Sequence, residues 1–467
     1  MSKWRPIDGI VLGLLVALAA AVRLVDLGTP DRIVFDESYY AQDACTYLNL
    51  GRELCGGVSE SSWGHPPLGK WLIALGIAIG GYEPAGWRST AAITGVITVA
   101  ALFILTRRVT NSTLGAGLAG GFVALDPLSI VSSRVAMLDI FVMCAGVLAV
   151  LFAVLHRDSI TRREGRPTRV VEPWLIAAGL CCGVAVATKW SGILVLATVG
   201  LLALTWELDA RRADGGRRQA LAAMAPTLLV CLVLVPLAVY VASYIGRLEG
   251  VVFAPPWQKD AWPRVFGGQQ LRMATFHIGL DASHPYASPA WSWPLGKRAV
   301  TYFFEIDADG RYRHILAFAN LALWVPALLA AVWAAVTLGR RREIWNAEFV
   351  VALSVAGSYL PWLVLTVGRP FVFLHYFVPV IPFLGLALAW AVIRFPPGIR
   401  RWSAAAIAAV AIAAYVFWAP LIYGWPMSYD DWRLRILFTD CTPDEIVDGR
   451  LMPRPHAGPP PDGWCWV

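Results

Sequence analysis

Residues 9–22 read GIVLGLLVALAAAV, an uninterrupted apolar run that ends at Arg23. The rest of the chain has the same character, because 57% of its 467 residues are hydrophobic and only 15% are charged. Soluble globular domains contain about 45–50% apolar and about 25% charged residues. A chain this apolar has more hydrophobic surface than a water-soluble fold can bury, so the sequence predicts an all-α polytopic membrane protein.

Eleven segments are apolar and long enough to cross a bilayer, whose hydrocarbon core takes roughly 17–25 helical residues. They cover residues 8–25, 88–106, 114–131, 136–155, 174–188, 190–206, 220–244, 317–338, 347–367, 371–393 and 403–423. The fifth and sixth segments are short and nearly fused at Lys189. Residues 72–80 are too few to span and are typical of a helix that lies on the membrane surface.

Basic residues set the predicted orientation, since cytoplasmic loops carry an excess of Lys and Arg. With the N-terminus in the cytoplasm, the short basic segments all fall inside, at residues 3–5, 107–108, 157–169, 211–218, 340–342 and 394–401. Eleven spans then place the C-terminus outside. The net charge of +7 is therefore a topology signal, and no nucleic-acid partner is expected.

Three longer segments lie outside in this arrangement, and loops of such length are usually functional. Two are outer loops, residues 26–87 and 246–316, and surface helices are expected in them. The third is residues 424–467. We therefore divide the chain into a transmembrane domain, residues 1–423, and an extracytoplasmic tail, residues 424–467.

Cysteine placement agrees with this topology. Cys45 and Cys55 lie in the first outer loop, and Cys441 and Cys465 lie in the tail. An oxidising space outside the membrane favours two short-range disulfides between them. Free thiols are the alternative.

A pair of adjacent carboxylates, Asp36-Glu37, follows the first predicted span and shares its outer loop with His65 and Lys70. A carboxylate held beside a bilayer has lost part of its water, which is costly unless the group takes a proton or holds a cation. The pair is therefore the first candidate for a functional site.

Further polar residues lie where the predicted spans meet the outer surface. They are Arg88, Arg134, Asp139, Lys189, Trp190, Arg369, His375 and Tyr376. If the topology is right, all of them lie at the membrane level of Asp36. Several cations and a carboxylate pair on one face indicate an anionic, lipid-linked ligand that is reached from outside.

Each of these residues also has a purely structural interpretation. Glu37 pairs with Arg88 or Arg134 in one such interpretation, and Arg134 pairs with Asp139 in another. Lys189 would extend to the lipid headgroups. The aromatic residues of the tenth span and of the second outer loop would serve as interfacial anchors.

A sugar carried on a polyprenyl phosphate fits the set of polar residues. The phosphate is a good leaving group, so the site needs no general acid, but it needs the fixed positive charge that Arg88, Arg134 and Lys189 supply. It also needs a base at the acceptor hydroxyl, and Asp36 fits that role. A single displacement inverts the anomeric carbon. Since side chains meet the phosphate charge, no metal is expected, and the chain has no glycine motif for a nucleotide cofactor.

The same residues occur in motifs that closely resemble those of the protein O-mannosyltransferases, a family of GT-C glycosyltransferases. The motifs, in order, are Phe35-Asp36-Glu37, His65-Pro66-Pro67-Leu68-Gly69-Lys70, Arg134 with Leu138-Asp139, Lys189-Trp190-Ser191-Gly192, His284-Pro285-Tyr286 with Trp291-Ser292-Trp293-Pro294, and His375-Tyr376. The resemblance runs from the first span to the tenth. It implies the GT-C fold and transfer of mannose from a polyprenyl phosphate to Ser or Thr of secreted proteins.

By this resemblance Asp36 is the base, Glu37 organises the site, and Arg88 and Lys189 contact the donor phosphate. The remaining motif residues would line the donor and acceptor pockets; they are His65, Lys70, Asp139, Trp190, His284, Tyr286, Trp293, His375 and Tyr376. Arg369 lies outside these motifs, and we place it with the pocket residues because of its position at the start of the tenth span. Residues 246–316 are too few for the β-trefoil domain of the fungal and animal members. The chain therefore resembles the compact bacterial form, and its composition suggests an actinobacterium.

In that setting the protein would lie in the plasma membrane with its active site on the extracytoplasmic face. Its acceptors would be proteins crossing the membrane through the Sec translocon, which is a candidate partner. The main alternative is a GT-C enzyme that glycosylates a lipid or glycolipid. A transporter or assembly factor is the third interpretation, but a pump is expected to carry ionisable residues deep within its spans.

Overall fold

A computed structural model describes residues 4–51, 53–56, 64–161, 170–211, 216–244, 247–248, 251–252, 262–440, 446–453 and 458–467. Helices dominate it, as the composition predicts. They are α1 (Pro6–Leu24), α2 (Glu37–Tyr47), α3 (Leu68–Gly80), α4 (Pro84–Thr110), α5 (Thr113–Leu125), α6 (Pro127–Arg134), α7 (Leu138–Ile160), α8 (Pro173–Thr188), α9 (Ile193–Arg211), α10 (Gly216–Leu229), α11 (Val235–Ser243), α12 (Trp262–Gly279), α13 (Leu321–Arg341), α14 (Ala347–Leu365), α15 (Ile381–Val392), α16 (Pro397–Tyr423) and α17 (Tyr429–Arg435).

Shorter elements link these helices. A π-helical turn, Val230–Leu234, joins α10 to α11, and 3-10 turns cover Trp190–Gly192, Ala290–Leu295 and Leu374–Val380. The strands are β1 (Arg247–Leu248), β2 (Val251–Val252), β3 (Val300–Ile306), β4 (Tyr312–Ala317), β5 (Ile446–Val447) and β6 (Arg450–Leu451). They form three antiparallel two-stranded ladders, in which β1 pairs with β2, β3 with β4 and β5 with β6.

All eleven predicted spans coincide with helical structure. Nine helical stretches in the described ranges are long and apolar enough to cross a membrane, and α5 with α6 forms a tenth that is bent by 56°. The predicted fifth span is α8, an apolar helix of 16 residues. The predicted start of the eighth span at residue 317 is wrong, because that residue ends β4 and the helix begins at Leu321. The orientation of the termini stays a prediction.

The bend between α5 and α6 has an identifiable chemical cause. Pro127 has no N–H, so the carbonyl of Val123 loses its helical partner. Arg23 of α1 replaces it, since its guanidinium donates to the carbonyls of Val123 at 2.9 Å and Ala124 at 3.0 Å. The Asp126 carboxylate accepts from the backbone N–H of Ser129 and so caps α6. A buried arginine therefore holds the break at the outer end of this span.

The most buried helical stretches are Leu138–Ile160 and Leu374–Val392, of which 83% and 89% are buried inside the protein. The stretches Pro6–Leu24 and Pro397–Tyr423 are only 22% and 28% buried. The first two therefore form the centre of the bundle, and the last two lie at its periphery. Each central stretch begins one residue before a predicted site residue, which is Asp139 in the first and His375 in the second.

The outer segments fold into a cap that contains a β-hairpin. β3 and β4 pair with Val300 opposite Ala317 and Ile306 opposite Tyr312. Only surface helices were expected here, which is wrong for residues 300–317. A signal for the hairpin exists, because two runs of β-branched and aromatic residues flank the turn Asp307-Ala308-Asp309-Gly310.

The C-terminal tail packs on this hairpin. The buried Arg298 guanidinium donates to the carbonyls of Pro461 at 2.7 Å and Gly463 at 3.2 Å. The Trp466 indole N–H donates to the Gly296 carbonyl at 2.7 Å. The division at residue 424 thus marks the end of the last span, and the described part of the tail shares one outer cap with the second outer loop.

The first predicted disulfide is confirmed. Cys45 and Cys55 are bonded, with Cα atoms 5.6 Å apart, and the bond ties the end of α2 to the following loop. Cys441 lies outside the described residues, so its pairing with Cys465 stays a prediction. The thiols of the helices, Cys144, Cys181, Cys182 and Cys231, are free.

Candidate active site

The Glu37 carboxylate is fully buried and held by four hydrogen bonds. It accepts from the backbone N–H groups of Val34 at 3.0 Å and Ala136 at 3.2 Å. It also accepts from the Arg88 guanidinium, at 2.7 Å from Nε and 3.0 Å from Nη2. The structure therefore confirms the interpretation that pairs Glu37 with Arg88. This pair locks the first outer loop onto α4 and α7.

Arg88 has no donor left for a ligand in this arrangement. Its other three N–H groups donate to the carbonyls of Leu27 at 3.2 Å, Pro30 at 3.0 Å and Arg32 at 2.8 Å. An arginine has five N–H donors, and all five are satisfied here. The predicted contact of Arg88 with a donor phosphate stays a prediction, and its geometry indicates that it positions the loop that carries Asp36.

Asp36 has the opposite environment. It precedes α2, but its side chain makes no capping hydrogen bond, and it is half-buried. Its carboxylate accepts from the Tyr40 hydroxyl at 3.3 Å. Burial raises the pKa of the Asp36 carboxyl to about 6; the Lys189 ammonium opposes this shift and the Asp139 carboxylate adds to it. Asp36 is thus a weakly bonded carboxylate with a raised proton affinity, as a general base requires.

Lys189 lies in the break between α8 and the Trp190–Gly192 turn. Its ammonium lies 2.9 Å from both oxygens of Asp139 and 4.2 Å from the centre of the Tyr376 ring. It is 6% exposed, so the interpretation that it extends to the headgroups is wrong. The Asp139 carboxylate therefore holds the Lys189 ammonium in a fixed position within the site.

Arg134 does not pair with Asp139, which corrects another structural interpretation. Its guanidinium donates to the carbonyls of Arg23, Val25 and Asp26, at 3.1, 2.7 and 2.8 Å. It also lies 4.5 Å from the centre of the Tyr423 ring. Arg134 therefore caps the C-terminal end of α1, where carbonyls lack helical partners. The phosphate contact predicted for it stays a prediction.

Imidazole and aromatic rings surround Asp36 and Lys189. The His65 ring centre lies 6.0 Å from that of Tyr40 and 5.7 Å from that of His277, which lies 5.7 Å from that of Trp190. Burial lowers the pKa of His65 well below its ordinary value, and the charge of Lys189 lowers it further. This histidine is therefore neutral at physiological pH and serves as a hydrogen-bonding group.

His375 lies on the other side of Asp36. Its ring is 5.8 Å from the Phe35 ring and stacks on Phe373 at 5.4 Å. It is 3% exposed, and its Nδ1 atom is buried without a hydrogen-bond partner in the described part of the chain. A buried polar atom of this kind is unfavourable unless a ligand or water completes it. His375 therefore suits a role in holding substrate.

The other predicted pocket residues lie farther back. Lys70 pairs with Asp43 at 3.0 Å in a buried contact between α2 and α3. Trp293 packs against Trp362 and Tyr376, with ring centres 5.7 and 6.1 Å apart.

His284 follows the same pattern. It accepts from the backbone N–H of Tyr286 at 3.1 Å and contacts the rings of Phe371 and Phe373. These residues support the site.

Two residues near the centre were not predicted. Tyr40 bonds to Asp36, and the signal that could have found it is its position four residues into the same helix. His277 closes the site from α12, where its Nε2–H donates to the Gly64 carbonyl at 2.7 Å. Nothing in the sequence places α12 over the first outer loop.

A narrow apolar cleft with a cavity volume of about 20 Å³ lies between the helices of the bundle. Its walls come from α7, α9, α14 and the Leu374–Val392 stretch, and include Val150, Leu194, Trp362 and Phe383. Ser191, two residues after Lys189, is part of the lining. The cleft therefore lies in the apolar part of the bundle, next to the turn that follows Lys189.

Metal-binding groups were searched for in the described ranges. No set of three or more His, Cys, Asp and Glu side chains there is placed to hold a metal ion. The expectation that the reaction needs no metal or other cofactor stays a prediction.

A family model described as dolichyl-phosphate-mannose-protein mannosyltransferase matches residues 13–90 and 85–246. A model of the C-terminal four-helix region of protein-O-mannosyltransferase matches residues 263–440. The chain belongs to the protein O-mannosyltransferase family. It is therefore a glycosyltransferase, as the motifs predicted.

Related enzymes and structures agree with this assignment. The polyprenol-phosphate-mannose–protein mannosyltransferase of Mycobacterium tuberculosis is 31% identical over 93% of this chain and 93% of its own length. The enzyme of that name from Corynebacterium glutamicum is 28% identical over 90% and 91%.

Two solved structures have a similar fold. The S. cerevisiae protein O-mannosyltransferase complex bound to the sugar donor is similar with a TM-score of 0.75 at 14% identity, covering 93% of this chain and 92% of that one. ArnT from Cupriavidus metallidurans bound to undecaprenyl phosphate is similar with a TM-score of 0.55 at 19% identity, covering 88% and 66%. At such identities the likeness shows the fold alone, which is the predicted GT-C architecture.

Proposed function

We propose that this protein transfers mannose from polyprenyl-phosphate mannose to Ser or Thr hydroxyls of polypeptides, with inversion at the anomeric carbon. The observation that carries the proposal is the placement of Asp36. It is a half-buried carboxylate with one long hydrogen bond, beside the Lys189 and Asp139 pair and close to an apolar cleft. That arrangement provides a base and a fixed cation in one place.

The reaction follows from these parts. The acceptor oxygen attacks the anomeric carbon of mannose while an Asp36 oxygen takes the hydroxyl proton. The bond from that carbon to the phosphate oxygen breaks on the opposite face, and the electron pair leaves with the polyprenyl phosphate. The positive charge of Lys189, fixed in a buried site, stabilises the charge that develops on this leaving group. Glu37 and Arg88 hold the Asp36 loop in place.

The proposal also covers where the reaction occurs. We infer that the protein lies in the plasma membrane and that Asp36 faces the extracytoplasmic side, because the basic segments all fall on the opposite side in the predicted topology. Acceptors would then be polypeptides that have crossed the membrane, and delivery by the Sec translocon belongs to the proposal as well.

Asp36→Asn tests the proposed base. Membranes with this variant should transfer labelled mannose from polyprenyl-phosphate mannose to a Thr- and Pro-rich peptide about 10²- to 10⁴-fold more slowly than the wild type. Donor binding should be nearly unchanged, since the amide has the size of the carboxylate. Asp31→Asn is the matched control, because Asp31 lies exposed in the same loop and its loss should leave transfer intact.

Two outcomes would contradict the proposal. Normal turnover by Asp36→Asn would remove Asp36 as the base. Labelled glycolipid in place of labelled glycopeptide, formed by the wild-type protein, would favour the alternative of a lipid acceptor.

A further inference from the structure

Arg369 lies in the turn between α14 and the Leu374–Val380 turn, and it is half-buried. Its Nη2 donates to the His277 carbonyl at 3.1 Å, which is its one side-chain hydrogen bond within the described ranges. No carboxylate in those ranges forms an ion pair with it. Since an arginine has five N–H donors, most of this guanidinium is available.

The three cations that the sequence predicted as phosphate contacts have fewer free hydrogen-bond donors than Arg369. All five donors of Arg88 are occupied, and Arg134 donates three hydrogen bonds to the end of α1. Lys189 bonds to both oxygens of Asp139. A phosphate that bound to Arg88 would break its buried ion pair with Glu37, which is costly, and one that bound to Arg134 would compete with backbone carbonyls. Lys189 keeps one of its three N–H donors, so it can assist a phosphate that another cation holds.

Arg369 is close to the reacting groups. Its partner His277 packs against Trp190, the residue after Lys189, with ring centres 5.7 Å apart. Burial lowers the pKa of His277, its hydrogen bond to Gly64 raises it, and the charges of Arg369 and Lys189 lower it further. Two cations, Arg369 and Lys189, thus act on one imidazole ring.

Arg369 also follows, in the chain, the end of α14 that contributes to the apolar cleft. Trp362 lines the cleft and packs against Tyr376, with ring centres 5.4 Å apart. The Trp362 carbonyl accepts from the backbone N–H of Thr366, which lies between Trp362 and Arg369 in the chain. Two apolar residues between Trp362 and Arg369 are highly exposed: Val364 has a relative exposure of 74% and Val367 of 77%. In a membrane protein such side chains face lipid, so the segment that leads to Arg369 borders the bilayer.

We propose that Arg369 binds the phosphate group of the polyprenyl donor and of the polyprenyl phosphate that leaves. This inference rests on the proposed function and deepens it. A planar guanidinium with free donors matches a phosphate in a bidentate geometry. The phosphate would then lie between Arg369 and the remaining N–H of Lys189, and the sugar would reach Asp36.

Binding measurements on the full-length protein in phosphatidylcholine nanodiscs test the proposal without depending on transfer. The probes are a polyprenyl phosphate without sugar and the matching polyprenol without phosphate. Arg369→Gln should weaken binding of the phosphate probe about 10- to 100-fold, as expected for a charged hydrogen bond. It should leave binding of the neutral polyprenol unchanged, and Arg369→Lys should restore part of the affinity.

Arg32→Gln is the matched control, since Arg32 is an exposed outer arginine that pairs with Glu305. It should bind both probes like the wild type. A kinetic readout complements the binding: Arg369→Gln should raise KM for the donor and leave KM for the acceptor peptide unchanged.

Equal weakening of both probes would overturn the proposal, because Arg369 would then only shape the cleft. Equal affinity of wild type and Arg369→Gln for the phosphate probe would overturn it too. If added phosphatidylglycerol then stabilises the wild type but not the variant, the ligand of Arg369 is a bulk lipid headgroup. Failure of peptide mannosylation by the wild type would refute the proposed function and leave the binding result standing.

Discussion

Asp36 and Glu37 are adjacent in the chain, but their carboxylates have opposite environments. The Glu37 carboxylate accepts four hydrogen bonds and is not exposed to solvent. The Asp36 carboxylate accepts a single hydrogen bond of 3.3 Å from the Tyr40 hydroxyl. The turn before them separates the two, since Phe35 has a left-handed backbone with φ of 47°. The pair therefore divides into a buried anchor and an available base.

The raised proton affinity of Asp36 predicts how activity depends on pH. Its pKa is raised from 3.8 to about 6 by burial, so the protonated, inactive form persists to a higher pH than for an ordinary aspartate. Activity should be complete well above pH 6 and should fall as the pH drops through about 6. The measurement is kcat/KM for the acceptor against pH, which reports the free enzyme.

Tyr40→Phe provides the matched test of that assignment. The Tyr40 hydrogen bond lowers the pKa of Asp36, so its removal should move the acidic limb of the profile to higher pH. His65 should not contribute to this limb, because burial already lowers its pKa well below the ordinary value. A profile that is flat from pH 5 to 7, or that Tyr40→Phe leaves in place, would contradict the assignment.

The Arg88 and Glu37 pair makes a prediction about stability. Arg88→Ala leaves a fully buried carboxylate without its partner, which should cost about 3–5 kcal/mol of folding free energy. The thermal unfolding temperature in detergent should fall strongly, and any folded fraction should have a low kcat because the Asp36 loop is displaced.

Arg108→Ala on the same helix is the control. Arg108 is partly exposed and pairs with Asp158 at 2.7 Å, and such a pair contributes about 0–1 kcal/mol. If Arg88→Ala instead kept its stability and kcat and only raised KM for the donor, the original expectation that Arg88 contacts the phosphate would be correct.

At the level of whole elements, breaks in helices deliver the polar residues of the site. α5 and α6 break at Asp126, and the carbonyls freed there are bonded by Arg23. α8 ends at Thr188, and the short turn that follows places Lys189 against Asp139. A continuous helix in either place would carry these side chains past the membrane level of Asp36.

Gly192 makes the second break possible. A Cβ atom at this position would lie 2.2 Å from the backbone carbonyl carbon of Ala185, a contact that no rearrangement of a side chain relieves. Gly192→Ala should shift the turn and with it Lys189, and transfer should fall by about 10²-fold, the typical effect of a displacement near 1 Å.

Gly200→Ala is the control for that prediction, because Gly200 lies in the same span with nothing within 4 Å of the added carbon. It should keep wild-type transfer, measured with the same donor and peptide. Full activity of Gly192→Ala would show that the close packing of α8 on this turn has no role in placing Lys189.

At the scale of the whole molecule, the proposed topology places the cap and the basic loops on opposite sides of the membrane. Arg311 is exposed at the tip of the β3–β4 hairpin, and Arg401 is exposed near the start of α16. In intact cells, Arg311→Cys should react with a membrane-impermeant maleimide, whereas Arg401→Cys should react only after lysis. The wild-type chain gives the background labelling, and the reverse pattern would invert the topology.

The sequence alone determined the class of the protein and the approximate position of its membrane helices, and it nominated site residues whose roles stay predictions. Each of these depends on local properties: the length of apolar runs, the distribution of Lys and Arg, and motifs of a few residues. The Cys45–Cys55 bond was predictable for the same reason. The β3–β4 hairpin was missed, although its turn was visible, because its pairing stabilises it only within the cap.

The tertiary structure decided what each polar residue does. Whether Arg88, Arg134, Lys189 or Arg369 is available to a ligand depends on which carbonyls and carboxylates surround it, and those come from helices far apart in the chain. A sequence shows that a cation lies at the outer surface. Only the packing shows whether its hydrogen bonds are already satisfied, because an arginine that is fully bonded in the fold has little to gain from binding a phosphate.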